Sequence, residues 1–348
     1  MSTFAHGVQR INLCGLALVL AMTCLICVNA ETSRATSVAV GSEQWSVVVP
    51  GDVTALAADP PDLVALTEDV MIQKNGVAGE QYLVRGGHVV ARSVGPGLPT
   101  SALSVDGQVY IAGGSFGPHT YTSGQNEVID EAVPGLNAER TFSVATPLAM
   151  AEQDGVVWVL SGGSNDNELS LDRLDGERFV VIRRLGSIGW VPGNIIVGCI
   201  GDLFVAGSQG DQLDTVLMLD TSGTLLQRWT LPGSGGVYLS CGSSGVVAAL
   251  GQSGGTVWLL TKNHRSLLTR IQGLLSGAVV MKNRVWLLTS TASGAKVEKL
   301  VLSELSMQGE NLGAMQWHVP SGGPPLLSGS NGQLFIGADG RVLDVSSA

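Results

Sequence analysis

The sequence predicts an all-β protein, a seven-bladed β-propeller, on three observations. A unit of two apolar strands joined by a tight turn recurs seven times. The recurrence has a mean step of 45 residues, which leaves room for four strands in each copy. The seventh copy ends one strand short, and an unmatched strand stands ahead of the first copy.

The copies read Val53–Glu68, Ala102–Gly114, Ala149–Gly163, Ile195–Gly207, Val237–Gly251, Ala278–Ser290 and Pro324–Gly337. Asp-Gly, Ser-Gly and Asn-Gly recur between the paired runs, and two-residue hairpins demand such pairs because they accept positive φ. With Asp62, Gly107, Gly155, Gly201, Gly245, Asn283 and Gly332 as anchors, the steps are 45, 48, 46, 44, 38 and 49 residues. A second hairpin follows in most copies, as in QYLVR-GG-HVVARSV and TVLMLDT-SG-TLLQRWTLP. The fourth strands stop at Pro-containing connectors, among them Val191-Pro192-Gly193 and Leu231-Pro232-Gly233. Proline cannot donate to a ladder, so it belongs at strand ends and edges.

After Gly332 only two further strands fit before Ala348. Gln44 to Pro50 ends in the same Val-Pro-Gly as the other fourth strands. It is therefore expected to close the seventh blade and remove its exposed edge. A generic β-sandwich, the alternative, would lack the regular step.

Composition fits this reading. Hydrophobic residues make up 45% and charged residues 14%, against roughly 25% charged in an average domain. That excludes disorder. The 47 glycines lack a period of three, which excludes collagen. A net charge of −10 argues against a nucleic-acid partner.

Ile11 to Val28 form an apolar run of 18 residues, followed by Val28-Asn29-Ala30. Small residues at these positions suit signal peptidase, so residues 1–30 are expected to be a signal peptide cut after Ala30. The alternative is an uncleaved signal anchor, the one route to a membrane partnership. Residues 31–43 then form a linker and residues 44–348 the propeller, secreted or periplasmic.

Only Cys199 and Cys241 remain in the exported body, at equivalent places in adjacent copies. A disulfide between them would span 42 residues and stabilise by at most about 4 kcal/mol. The other reading, two small apolar residues too far apart to bridge, stays open.

Two copies carry an apolar run capped by Gly-Gly, at Gly113-Gly114 and Gly162-Gly163. Trp229 and Trp317 each sit three residues before a connector proline. A second-strand Gly-Gly with a fourth-strand Trp resembles the kelch repeats of galactose-oxidase-like propellers. Elsewhere the Gly-Gly decays, so the resemblance implies a kelch-like propeller and no defined family. Leu217 to Trp229 resembles the strand–turn–strand–Trp unit of quinone-binding propellers. It is well formed once, so Trp229 is read as core packing and no cofactor is expected.

No Gly-x-Ser-x-Gly, Walker loop or His-Glu-x-x-His occurs. The acidic run Asp166, Glu168, Asp172, Asp175 and Glu177 reads as a solvated hairpin, and no metal site is expected. Trp158, Trp258 and Trp286 read as packing between blades. Charge is uneven: Glu127 to Asp220 hold 15 acids and 5 bases, whereas Thr221 to Val297 hold 7 bases and no acid.

Loops between second and third strands share a face with the connectors between blades. They are long in three copies, residues 115–127, 164–168 and 208–214. His119, Tyr121, Asn165, Asp166, Trp190 and Asp211 are expected to gather there and bind a protein or a glycan. The expected function is therefore a non-catalytic binding propeller. Its rivals are a periplasmic lactonase-, lyase- or epimerase-type enzyme acting on a sugar derivative, and a membrane-anchored assembly scaffold.

Overall fold

The computed structural model describes residues 42–346, except 60–61, 74–75, 95–97, 115–126, 133–137, 163–168, 187, 209–212, 234, 252–253, 293–296, 321–324, 331 and 339. The expected leader, residues 1–30, lies outside the described residues. The first strand starts at Ser42, so it takes in the last two residues of the expected linker.

The fold is an all-β propeller. After β1 (Ser42–Val48), the chain lays down six consecutive groups of four strands and a last group of three. Sheet 1 holds β2 to β5 (Val53–Asp59, Asp62–Gln73, Gly76–Arg85, His88–Val94). Sheet 2 holds β6 to β9 (Leu98–Val105, Gln108–Gly114, Glu127–Ala132, Ala138–Val144). Sheet 3 holds β10 to β13 (Pro147–Gln153, Val156–Gly162, Leu169–Asp175, Arg178–Arg184). Sheet 4 holds β14 to β17 (Ile196–Cys199, Asp202–Ser208, Leu213–Leu219, Leu225–Pro232). Sheet 5 holds β18 to β21 (Val237–Gly242, Gly245–Leu250, Thr256–Thr261, His264–Arg270). Sheet 6 holds β22 to β25 (Leu274–Met281, Arg284–Ala292, Val297–Ser306, Asn311–Pro320). Sheet 7 holds β26 to β28 (Leu326–Ser330, Gln333–Ala338, Arg341–Ser346), with β1 paired antiparallel to β28 as its fourth strand.

Sheets 1 to 6 follow chain order, sheet 7 runs β26-β27-β28-β1, and neighbouring strands are antiparallel throughout. The first strand of every sheet touches the first strand of the next, and β26 touches β2. Burial falls from inside to outside: all six residues of β19 are buried, β13 has no buried residue, and β17 is largely exposed. A strand buried on both faces reads as a continuous apolar run, as Val246–Leu250 does.

Turn chemistry sets the hairpins. Asp106, Asp154 and Lys282 adopt φ of 50°, 54° and 50° at the first turn position. In sheets 4 and 5 the turn lies one residue earlier than the sequence pairs Gly201-Asp202 and Ser244-Gly245 would place it. Cys199 pairs with Asp202 across Ile200-Gly201, and Gly242 pairs with Gly245 across Ser243-Ser244. Ile200 thus takes a φ of 53° while 69% exposed.

The core lies between sheets. Trp158 and Trp286 are fully buried, and Trp229 stacks on Phe204 at 6.0 Å. Trp45 of β1 meets Phe335 of sheet 7 at 6.0 Å. It also abuts Gly87 of sheet 1, where a Cβ would come within 3.0 Å of it. Arginines cover aromatic rings in four sheets: Arg92 over Tyr82, Arg140 over Phe142, Arg173 over Trp158 and Arg265 over Trp258. The Glu80 carboxylate is buried and accepts from Tyr82 and Arg92. Burial opposes its ionisation, but the Arg92 and Tyr82 bonds outweigh that and hold its pKa below the ordinary carboxylate value.

The expected solvated hairpin needs correction at Asp172. This side chain is buried and accepts from Ser161 Oγ of the adjacent strand β11 at 2.7 Å, so the hairpin is not solvated at this position. Asp175 and Glu177 are exposed, and Asp166 and Glu168 lie outside the described residues.

Candidate binding face

Loops between second and third strands and connectors between sheets emerge at one end of every sheet. The connector from β13 to β14 is built to hold its chain still. Ile188, Val191 and Ile195 are buried, which fixes both flanks of Trp190. Gly189 and Ser208 exchange two backbone hydrogen bonds, each 2.9 Å, tying the connector to the end of β15. Pro192 O accepts from Val237 N at 2.8 Å, and Asn194 exchanges main-chain and side-chain bonds with Leu239. Gly193 has φ of 123°, and a Cβ there would lie 2.1 Å from Val237 O, so only glycine permits this approach.

Trp190 itself remains 44% exposed. Tryptophan is highly buried on average, so an exposed indole on a clamped backbone is an unusual arrangement. Clamping matters energetically, since a rigid aromatic loses little further freedom when a partner covers it.

Directly behind this connector lies a carboxylate that the sequence reading missed. Gly189 bridges Ser208, Ser208 pairs with Asp214, and Asp214 pairs with Leu231. Asp214 is 1% exposed, and its Oδ2 has no hydrogen-bond partner. Burial alone pushes its pKa up to about 6. The equivalent position in sheet 3 holds Leu169, also buried, so Asp214 occupies a hydrophobic slot.

Of the six expected binding residues, Trp190 is on the expected face and exposed. His119, Tyr121, Asn165, Asp166 and Asp211 lie outside the described residues. The described histidines of the propeller, His88, His264 and His318, all stand on fourth strands at the rim. Among the described residues no three His, Cys, Asp or Glu side chains converge as metal ligands.

At the opposite end of the sheets, Cys199 of β14 and Cys241 of β18 form a disulfide with a Cα–Cα distance of 5.3 Å. It staples sheet 4 to sheet 5 next to the Ile200 turn.

No protein-family model matches the chain, and no curated protein matches it. The kelch resemblance therefore rests on the sequence motifs alone. Solved structures do match in fold. The chain is similar to BBS1N, solved in complex with ARL6DN, with a TM-score of 0.58, 10% identity, and coverage of 88% of this chain and 96% of that one. It is similar to Sqt1 of Saccharomyces cerevisiae with a TM-score of 0.51, 11% identity and coverage of 88% and 99%. BamB of Moraxella catarrhalis gives a TM-score of 0.49 at 17% identity, covering 84% of this chain and 85% of that one. Identities this low speak to the propeller fold.

Proposed function

We propose that this chain is an exported, seven-bladed propeller that binds a protein partner through the face bearing Trp190. The observation that carries the reading is the exposed indole on a connector clamped at Gly189, Pro192 and Asn194. Interface hot spots are enriched in tryptophan, and preorganisation lowers what binding must spend on ordering. The complex in which BBS1N was solved supports a protein partner by analogy of fold alone. A glycan is the competing ligand for the same face.

Export is supported by the apolar run from Ile11 to Val28 and by the Cys199–Cys241 disulfide, since disulfides persist in oxidising compartments. We read the seven sheets as blades of one ring, sealed where β1 pairs with β28 and where β26 meets β2.

The test places a photo-cross-linker at position 190 in exporting cells and identifies the captured protein by mass spectrometry. Trp190→Ala is then expected to weaken that partner by about 1 to 3 kcal/mol with melting nearly unchanged. Equal affinity in Trp190→Ala, or capture of glycan alone, overturns the reading. Mass spectrometry of the exported chain checks the leader, with Glu31 as the expected first residue.

A further inference from the structure

We infer a second docking surface on the rim, where the outer edges of sheets 4 and 5 take an acidic, extended peptide. It is separate from the Trp190 face and does not depend on that reading. Strands β17 and β21 flank an open cleft of about 510 Å³. Gln227, Arg228, Thr230, Asn263, His264 and Arg265 line it, and no carboxylate does. The charge context agrees: Thr221 to Val297 hold 7 bases and no acid. Asp220, at the neighbouring turn, is engaged by Ser222 and Thr224.

Arg265 is fixed in place. Its Nη1 donates to Thr230 O at 2.7 Å, and its guanidinium lies 5.7 Å from the centre of the Trp258 ring. A guanidinium has five N–H donors, and the Thr230 bond uses one, so a carboxylate can still dock in fork geometry.

The backbone argues for a strand over a simple anion. β17 is the last strand of its sheet, so alternate residues direct N–H and C=O outward. The Thr230 carbonyl that accepts from Arg265 marks the outward set. Pairing is regular from Thr215↔Thr230 to Leu217↔Arg228, so the Arg228 main-chain groups belong to that set too. Leu225 and Leu226 stand 39% and 38% exposed at the start of the same strand. A peptide alternating acidic and apolar side chains would meet ladder groups, cations and leucines together.

Cations on an edge also serve to repel other strands, so the experiment must separate a guarded edge from a docking edge. The purified full chain is titrated with a fluorescein-labelled ten-residue peptide alternating Glu and Val. A Lys/Val peptide serves as control, and a third Glu/Val peptide is N-methylated along one edge. Expected are saturable anisotropy with the first, none with the second, and at least tenfold weaker binding with the third. The R228E/R265E double variant should bind the Glu/Val peptide at least tenfold more weakly. In the unmutated chain, saturating Glu/Val peptide should slow exchange of the Arg228 amide. That measurement decides the matter where the double variant does not fold. Absence of binding, equal binding by the folded double variant, or unchanged Arg228 exchange overturns the proposal. Indifference to N-methylation also overturns it, leaving an anion patch without strand addition.

Discussion

Neutralising Asp214 should stabilise this protein at neutral pH. Its carboxylate is 1% exposed, Oδ2 lacks a partner, and burial moves its pKa from 3.8 to about 6. The shift is about two units, and each unit corresponds to about 1.36 kcal/mol, so the ionised side chain costs at most about 3 kcal/mol. The sign follows from proton binding. Between pH 3.8 and about 6 the folded state holds the proton more tightly than the unfolded chain. Stability therefore falls as pH rises through that window and is level above it.

Asp214→Leu places there the residue that sheet 3 carries as Leu169, and Asp214→Asn keeps the shape without the charge. An amide without partners still costs about 1 to 3 kcal/mol, so leucine should gain more than asparagine. Thermal melting at pH 7.5 is expected to rank Leu above Asn and Asn above the parent, by a few degrees in all. Near pH 4 the parent and Asp214→Asn should melt alike. If Asp214→Asn melts at or below the parent at pH 7.5, or gains as much at pH 4 as at pH 7.5, buried charge is the wrong cause.

Deleting Glu43 to Pro50 removes the partner of β28 and takes Trp45 off Phe335 and Gly87, so the chain should aggregate. Cooperative melting of that deletion as a monomer at the parent temperature, by calorimetry and light scattering, would show that β1 does not seal the ring. Ile200→Asn should raise stability by about 1 kcal/mol, because a β-branched residue at φ of 53° is strained and asparagine tolerates that region. Since Ile200 is 69% exposed, little packing is lost, and a denaturant midpoint at or below the parent value contradicts the strain argument.

The hairpins were legible because turn chemistry is local. Asp106-Gly107, Asp154-Gly155 and Lys282-Asn283 announce positive φ within two residues, and the structure turns there. Ile200-Gly201 was not legible, because the pairing of Cys199 with Asp202 sets the turn and places the strain on isoleucine. Asp172 and Asp214 were also misjudged or missed for a general reason. Residues 214–219 of β16 are all buried, and burial in β12 does not alternate, so in these two strands period-two patterning no longer says which side a carboxylate faces. Trp190 was legible as part of the loop-bearing face because its connector emerges beside the loops between second and third strands. Its clamp was not, since the partners Ser208 and Val237 belong to later strands. The rim cleft was invisible in sequence, because it joins Arg228 and Arg265 across two sheets.

Sheet 4 gathers the costly features of this propeller. It contains the strained Ile200 turn and the buried Asp214 carboxylate, and its entry connector exposes Trp190. Its outer edge forms one wall of the rim cleft. The Cys199–Cys241 disulfide ties this same sheet to its neighbour, at the base of the strained turn. A cross-link over 42 residues restricts the unfolded chain by at most about 4 kcal/mol, a reserve of the size these features consume. Strain, buried charge and exposed aromatic surface persist where surrounding structure holds them in place. Sheet 4 has that support from the disulfide at one end and from the Gly189–Ser208 bridge at the other. Reduction should therefore loosen the Ile200 end first, while the Trp190 connector keeps its own backbone bonds to Ser208 and Val237.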